Sequence, residues 1–308
     1  MEFFTHFIAV YGSLINFIGI NSLLALSLYV TLSAGQLSLG NAAFAGIGAY
    51  TAGILTMNMN SPYVLSLLAG ASLSALVALL IGLPVLRIRG VFLAMATLAF
   101  GEVVRITAVN LQITGGAQGL VGIPNKTTTW IIYGALAATA YFLARLRGSK
   151  IGWSLAAIRE DEVAAAAMGI NRTYYKTLAF ATGAFIAGLA GALNAHLNFI
   201  VSPGEFGFSA AVQLLIYNIV GGTRIWYGPI LGALLLTALP EVLRGAGVTA
   251  GPLRMGLNGV ILLLVILYLP NGLVSLFSRS PRSSGDESNI KNIKEDRESP
   301  KGKIAVQG

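Results

Sequence analysis

Residues 63–86 read YVLSLLAGASLSALVALLIGLPVL, a run of 24 residues without a charged side chain. A helix needs about 20 mostly apolar residues to cross the hydrocarbon core of a bilayer. Similar runs recur along the chain and predict an all-α polytopic membrane protein with about nine spanning helices, within a range of about eight to ten. The runs cover residues 7–33, 38–56, 63–86, 91–109, 129–146, 174–197, 209–222, 227–243 and 253–277.

The composition supports this class. The 308 residues are 55% hydrophobic and 10% charged, whereas soluble domains carry about 25% charged residues. The absence of cysteine and the presence of only two histidines exclude disulfides and argue against a metal site. The net charge of +8 is scattered between apolar runs, so it predicts a lipid-bilayer environment and no nucleic-acid partner.

Basic residues predict the orientation, because cytoplasmic loops carry an excess of Lys and Arg. One orientation places nine basic residues inside and three outside. The inside set is Arg87, Arg89, Arg145, Arg147, Lys150, Arg159, Arg172, Lys176 and Arg224, and the outside set is Lys126, Arg244 and Arg254. We therefore expect an N-terminus outside and a transmembrane domain over residues 1–278. A charged, disordered cytoplasmic tail is expected over residues 279–308.

Two stretches indicate an internal repeat. Residues 79–87 read LLIGLPVLR and residues 235–244 read LLTALPEVLR. Each follows a short glycine-interrupted segment, and the two lie five predicted spans apart, so they cross in opposite directions. Inverted-topology repeats of this kind are typical of transporters. Chance similarity is the alternative, since Leu, Val and Pro are common in this chain.

The loop 147–173 contains a predicted short helix over residues 162–168. Asp161 is a plausible N-cap, and Gly169 stands where helices usually end. Two turns are too short to be stable alone in water, so the helix needs a brace. Its alanine-rich face fits either a groove of another protein or the surface of this chain's own spans.

This loop resembles the coupling loop of ABC importer permeases. Residues 157–171 read AIREDEVAAAAMGIN, and in that family a Glu-Ala-Ala element followed by Gly docks into an ATPase subunit. Three further stretches are similar to the LivM-type branched-chain amino-acid permeases. They are AGQLSLGNAAFAGIGAY at 34–50, GVFLAMATLAF at 90–100 and TGGAQGL at 114–120.

The resemblance implies a membrane permease subunit of an ATP-driven importer for leucine, isoleucine and valine, in a bacterial-type inner membrane. The implied partners are two ABC ATPase subunits that bind the ATP, a paralogous permease that completes a heterodimer, and a periplasmic substrate-binding protein. No cofactor or enzymatic activity is expected of this chain, which has no phosphate-binding or hydrolase motif. The implied coupling residues are Arg159, Glu160, Asp161, Glu162, Ala165, Ala166, Gly169 and Asn171.

Candidate pathway residues are the polar side chains at membrane depth, since such groups usually face the protein interior or water. They are Gln36, Ser38, Asn41, Glu102, Arg105, Asn194 and His196. Structural alternatives stay open: Glu102 and Arg105 can pair with each other, and His196 can be a hydrogen-bonded residue at the interface. We expect Glu205 to be solvated in an outer loop.

Other functions remain open on the sequence alone. The same machine can carry urea, short amides or other amino acids. An ion-coupled secondary transporter is also built from inverted repeats, although it would need more buried acidic groups than Glu102. An intramembrane enzyme or a structural scaffold is the third alternative.

Overall fold

The computed structural model describes residues 2–59, 61–88, 90–223, 225–245, 259, 267 and 272–273. These residues form ten α-helices joined by loops and short 3-10 turns. The helices are α1 Glu2–Ser33, α2 Asn41–Asn58, α3 Tyr63–Val85, α4 Val91–Asn110, α5 Thr129–Arg147, α6 Lys150–Glu160, α7 Glu162–Ala167, α8 Arg172–Asn198, α9 Phe208–Gly221 and α10 Gly228–Gly245.

Every predicted apolar segment from 7–33 to 227–243 coincides with one of these helices, so the all-α membrane architecture is confirmed. The ninth segment, 253–277, lies almost wholly outside the described residues, and the tail 279–308 lies entirely outside them. The nine spans and the inverted repeat stay predictions. In the described part, five helices are long and apolar enough to cross a membrane: Tyr11–Ser33, Tyr63–Val85, Val91–Asn110, Thr129–Arg147 and Arg172–Asn198.

Helix α8 packs directly against α1, α2 and α3. A Cβ atom added at Gly191 would lie 1.9 Å from the carbonyl oxygen of Ala45. One added at Gly48 would lie 2.2 Å from the carbonyl oxygen of Gly188. Neither position accommodates a side chain, so the backbones of α2 and α8 are in contact, as is typical of small residues between membrane helices.

A short strand pair fixes the connection between α8 and α9. Strand β1, Leu120–Val121, pairs antiparallel with β2, Ile200–Val201. A 3-10 turn over Pro203–Phe206 follows. The buried ring of Phe206 packs on α2, where a Cβ at Gly46 would lie 2.9 Å from the Phe206 Cγ atom. This turn is therefore held against the helix bundle at both ends.

Candidate functional site

The predicted short helix of the loop is present as α7, and its cap is confirmed. The Asp161 Oδ1 atom accepts hydrogen bonds from the backbone N–H groups of Val163 at 2.7 Å and Ala164 at 3.0 Å. These two backbone donors, of which Ala164 has the larger effect, hold the pKa of Asp161 below its ordinary value. Gly169 follows the helix at φ +82°, a conformation that glycine adopts without strain. The sequence did not predict α6, the second helix of this loop.

The brace of α7 comes from its own chain. The Glu162 carboxylate accepts a hydrogen bond from the Lys176 ammonium group on α8, and Lys176 is buried. Ala165 is buried as well. Val163 is 69% and Met168 is 83% exposed. The helix is thus tied to α8 through Glu162, while two large apolar side chains at its start and end are exposed within the described chain.

The end of α6 meets two other parts of the bundle. The Arg159 guanidinium donates hydrogen bonds to the carbonyl oxygen of Thr223 at 3.3 Å and to its Oγ1 atom at 3.4 Å. The backbone of Arg159 also lies against Gly35, where a Cβ would be 3.2 Å from the Arg159 Cα atom. Arg159 therefore contacts both the α1–α2 connection and the end of α9. Glu160 and Ala166 are exposed, and Asn171 caps the start of α8.

Three predicted pathway residues lie in or beside the α1–α2 connection, fully buried. The Asn41 amide nitrogen donates to the Ser27 hydroxyl at 3.1 Å. The Ser38 hydroxyl accepts from a backbone N–H group of the same connection. The side-chain amide of Gln36 is 1% exposed and has no hydrogen-bond partner among the described residues. The structure thus places this group inside the bundle, away from any described cavity.

Three further candidates, Glu102, Arg105 and His196, form contacts that connect helices. The Glu102 Oε2 atom lies 2.7 Å from the Arg105 Nε atom, and its Oε1 atom accepts from the Phe208 N–H group at 3.3 Å. His196 is completely buried, and its Nε2 atom lies 2.9 Å from the Thr56 hydroxyl. Both sets connect helices: the first joins α4 to α9, and the second joins α2 to α8.

A cavity of about 310 Å³ lies between α1, α2, α8, α9 and the turn Pro203–Phe206. We call it the amide-lined cavity, after the side chains that supply its polar groups. Those are Asn21, Asn194, Asn198, Glu205, Gln213 and Tyr217. Of the predicted pathway residues, only Asn194 lines it. The remaining wall is mainly apolar and includes Ile20, Leu24 and Leu214.

Polar pairs on two helices shape this cavity. The Asn198 amide donates to the Asn194 carbonyl oxygen at 3.0 Å, and the Gln213 amide donates to the Tyr217 hydroxyl at 2.7 Å. Glu205 is an exposed residue, yet the buried part of its surroundings raises the pKa of its carboxyl group. Glu205 is exposed in the loop between α8 and α9, as the sequence predicted, but sequence reasoning missed that Glu205 and α9 line this cavity. The four-residue spacing within each pair was the available signal, because residues at i and i+4 share a helix face.

Comparison with known proteins assigns the family. Residues 10–266 match the family described as branched-chain amino acid transport system / permease component. The chain belongs to this family. It is a family of transport permeases rather than of enzymes, and the apolar helices of this chain agree with a multi-pass protein of the inner membrane.

Individual relatives carry the same description. The high-affinity branched-chain amino acid transport system permease protein LivM of Salmonella typhimurium is 32% identical over 288 residues, covering 82% of this chain and 67% of the relative. LivM of Escherichia coli is 31% identical with the same coverage. LivH of Escherichia coli is 29% identical over 150 residues, covering 48% of this chain and 47% of the relative. No solved structure gives a significant match.

Proposed function

We propose that this chain is a membrane-spanning subunit of an ATP-driven importer of branched-chain amino acids. The observation that carries the proposal is the similarity to LivM over 82% of the chain. Helix α7, which is capped by Asp161 and paired with Lys176, is a suitable docking element for an ATPase subunit. In this proposal residues 1–278 form the permease domain, residues 147–173 the coupling loop and residues 279–308 a cytoplasmic tail.

The chain works in this proposal with a second permease. It is similar to LivM over most of its length and to LivH over about half, which supports an assembly of two paralogous subunits. Two ATPase subunits bind the ATP, and a periplasmic binding protein delivers the substrate. The N-terminus lies outside, and α7 faces the cytoplasm.

The mechanism connects α7 to the amide-lined cavity through α8. An ATPase groove receives the exposed side chains of Val163 and Met168. Movement of α7 passes to α8 through the Glu162–Lys176 ion pair. Helix α8 has 27 residues, so it is about 40 Å long, and its far end lines the cavity. A tilt of α8 therefore changes the shape of the cavity. In this proposal the cavity opens alternately to the two sides of the membrane.

Cross-linking in membrane vesicles tests this proposal. The chain has no cysteine, so Met168→Cys introduces a single reactive thiol. We expect it to cross-link to an ATPase subunit while ATP drives leucine uptake. Trp130→Cys is the matched control, since Trp130 is 85% exposed and lies at the start of α5, on the predicted outer side.

Two results would contradict the proposal. One is a Met168→Cys cross-link to the ATPase no more frequent than that of Trp130→Cys. The other is leucine uptake that follows a proton or sodium gradient and continues without ATP, which would favour an ion-coupled transporter.

A further inference from the structure

We propose that the amide-lined cavity binds the transported amino acid and that the Glu205 carboxylate receives its α-ammonium group. This inference rests on the proposed function and names the chemical group of the substrate that the permease recognises. It assigns a role to a residue that lies outside the coupling loop and outside the Glu102–Arg105 pair.

The charge of the cavity favours a cationic group. Glu205 is the one charged residue in its lining, and it forms no ion pair with any residue that the structure describes. The other polar lining groups are neutral amides and a phenol. Glu205 is exposed, so a ligand can reach its carboxylate, and a ligand cation stabilises the ionised form. An amino-acid zwitterion supplies that cation, and the amides of Asn194 and Gln213 can donate to its carboxylate.

The size and walls of the cavity fit a small apolar amino acid. Its volume of about 310 Å³ lies at the lower end of small-molecule sites, which run from roughly 300 to 1,000 Å³. Ile20, Leu24 and Leu214 provide an apolar surface for a branched side chain. Transfer of such a side chain from water to this surface is favourable, so the cavity can recognise both ends of the molecule.

The backbone that carries Glu205 is fixed before a ligand arrives. Its neighbours Pro203 and Phe206 are buried. The preceding strand β2 pairs with β1, and the Val201 carbonyl oxygen accepts from the Tyr50 hydroxyl at 3.4 Å. The following helix begins at Phe208, whose N–H group donates to Glu102. A carboxylate on a fixed turn loses little conformational freedom on binding, which strengthens its interaction with the ammonium group.

Protection of a cavity thiol from alkylation measures binding directly. Ala210 lines the cavity, so Ala210→Cys places a single cysteine in its wall. The experiment uses the assembled transporter in proteoliposomes and follows the rate of maleimide labelling. We expect leucine to slow labelling at least about fivefold, and 3-methylbutylamine, which keeps the ammonium group, to slow it as well. We expect 4-methylpentanoate, which has the leucine skeleton without the ammonium group, to leave the rate unchanged.

Substitution of Glu205 completes the test. In the Ala210→Cys background, Glu205→Gln should raise the leucine concentration for half-protection by about 10- to 100-fold, the value of a hydrogen bond to a charged group. Glu205→Asp keeps the charge and should retain half-protection within about tenfold of the parent. Glu241→Gln is the matched control: Glu241 is a carboxylate on α10, outside the cavity lining and paired with Arg244 at 3.3 Å.

The inference is overturned if leucine does not slow labelling, if 4-methylpentanoate protects as well as leucine, or if Glu205→Gln leaves half-protection unchanged. The analogue series needs no change at Glu205, so it decides the question even where Glu205→Gln fails to assemble. ATP-driven leucine uptake is measured on the same vesicles. Its loss in the unsubstituted transporter would contradict the proposed function separately, whereas normal uptake without protection would contradict only the ligand site.

Discussion

Replacement of Gly191 by alanine tests the backbone contact between α2 and α8. The added Cβ atom would lie 1.9 Å from the Ala45 carbonyl oxygen, whereas Cβ atoms do not approach other heavy atoms closer than 3.0 Å. The two helices must therefore separate locally by about 1.1 Å, the difference between these two distances. Overpacking of this kind costs about 1–3 kcal/mol in the free energy of unfolding. Gly191 also lines the amide-lined cavity, so leucine uptake should fall as well.

The assay is thermal unfolding of the purified protein in detergent, followed by tryptophan fluorescence. We expect Gly191→Ala to lower the melting temperature by several degrees. Gly134→Ala in α5 is the control, because no atom lies within 4 Å of its added Cβ. Alanine is the better helix former by about 1 kcal/mol, so this variant should melt at the same or a higher temperature. Equal melting temperatures for the two variants would refute the packing argument.

Three further predictions concern the coupling loop and the α1–α2 connection. Glu162→Gln removes the ion pair of Lys176 and should weaken the attachment of α7 to α8 by about 1–2 kcal/mol, since partial exposure of the pair screens it. The number of leucine molecules transported per ATP should fall, and an unchanged ratio would count against this role of the ion pair. Because the pKa of Asp161 is lowered in the folded protein, the cap stabilises α7 fully above the pKa of an unfolded Asp, about 3.9, and this stability is lost as pH falls through the lower folded pKa. Hydrogen-exchange protection factors of α7 should therefore be constant from about pH 5 to 8. They should drop in Asp161→Ala and be retained in Asp161→Asn. Thr97→Val removes the hydroxyl that accepts the Leu39 N–H group at 2.9 Å and should cost about 1–3 kcal/mol, whereas Thr97→Ser should melt like the parent.

The coupling loop shows which features of a helix the local sequence predicts and which it does not. The acidic residue at 161, the alanines and the glycine at 169 predict a short capped helix, and α7 has that cap and that end. Caps and helix ends depend on bonds between residues two to five positions apart, so a single sequence contains them. The brace does not follow from such signals, because Lys176 reaches α7 from the next helix.

Apolar length determined which stretches between residues 7 and 243 form the helices other than α6 and α7, because a bilayer offers no partner to unpaired backbone groups. The face that each helix turns inward was decided only in the tertiary structure. In lipid both faces of a helix can be apolar, so the periodicity that marks a buried face in water is weak. Asn194, Glu205 and Gln213 come together because three separate segments pack around one space. Gln36 and His196, equally polar in the sequence, are enclosed elsewhere in the bundle.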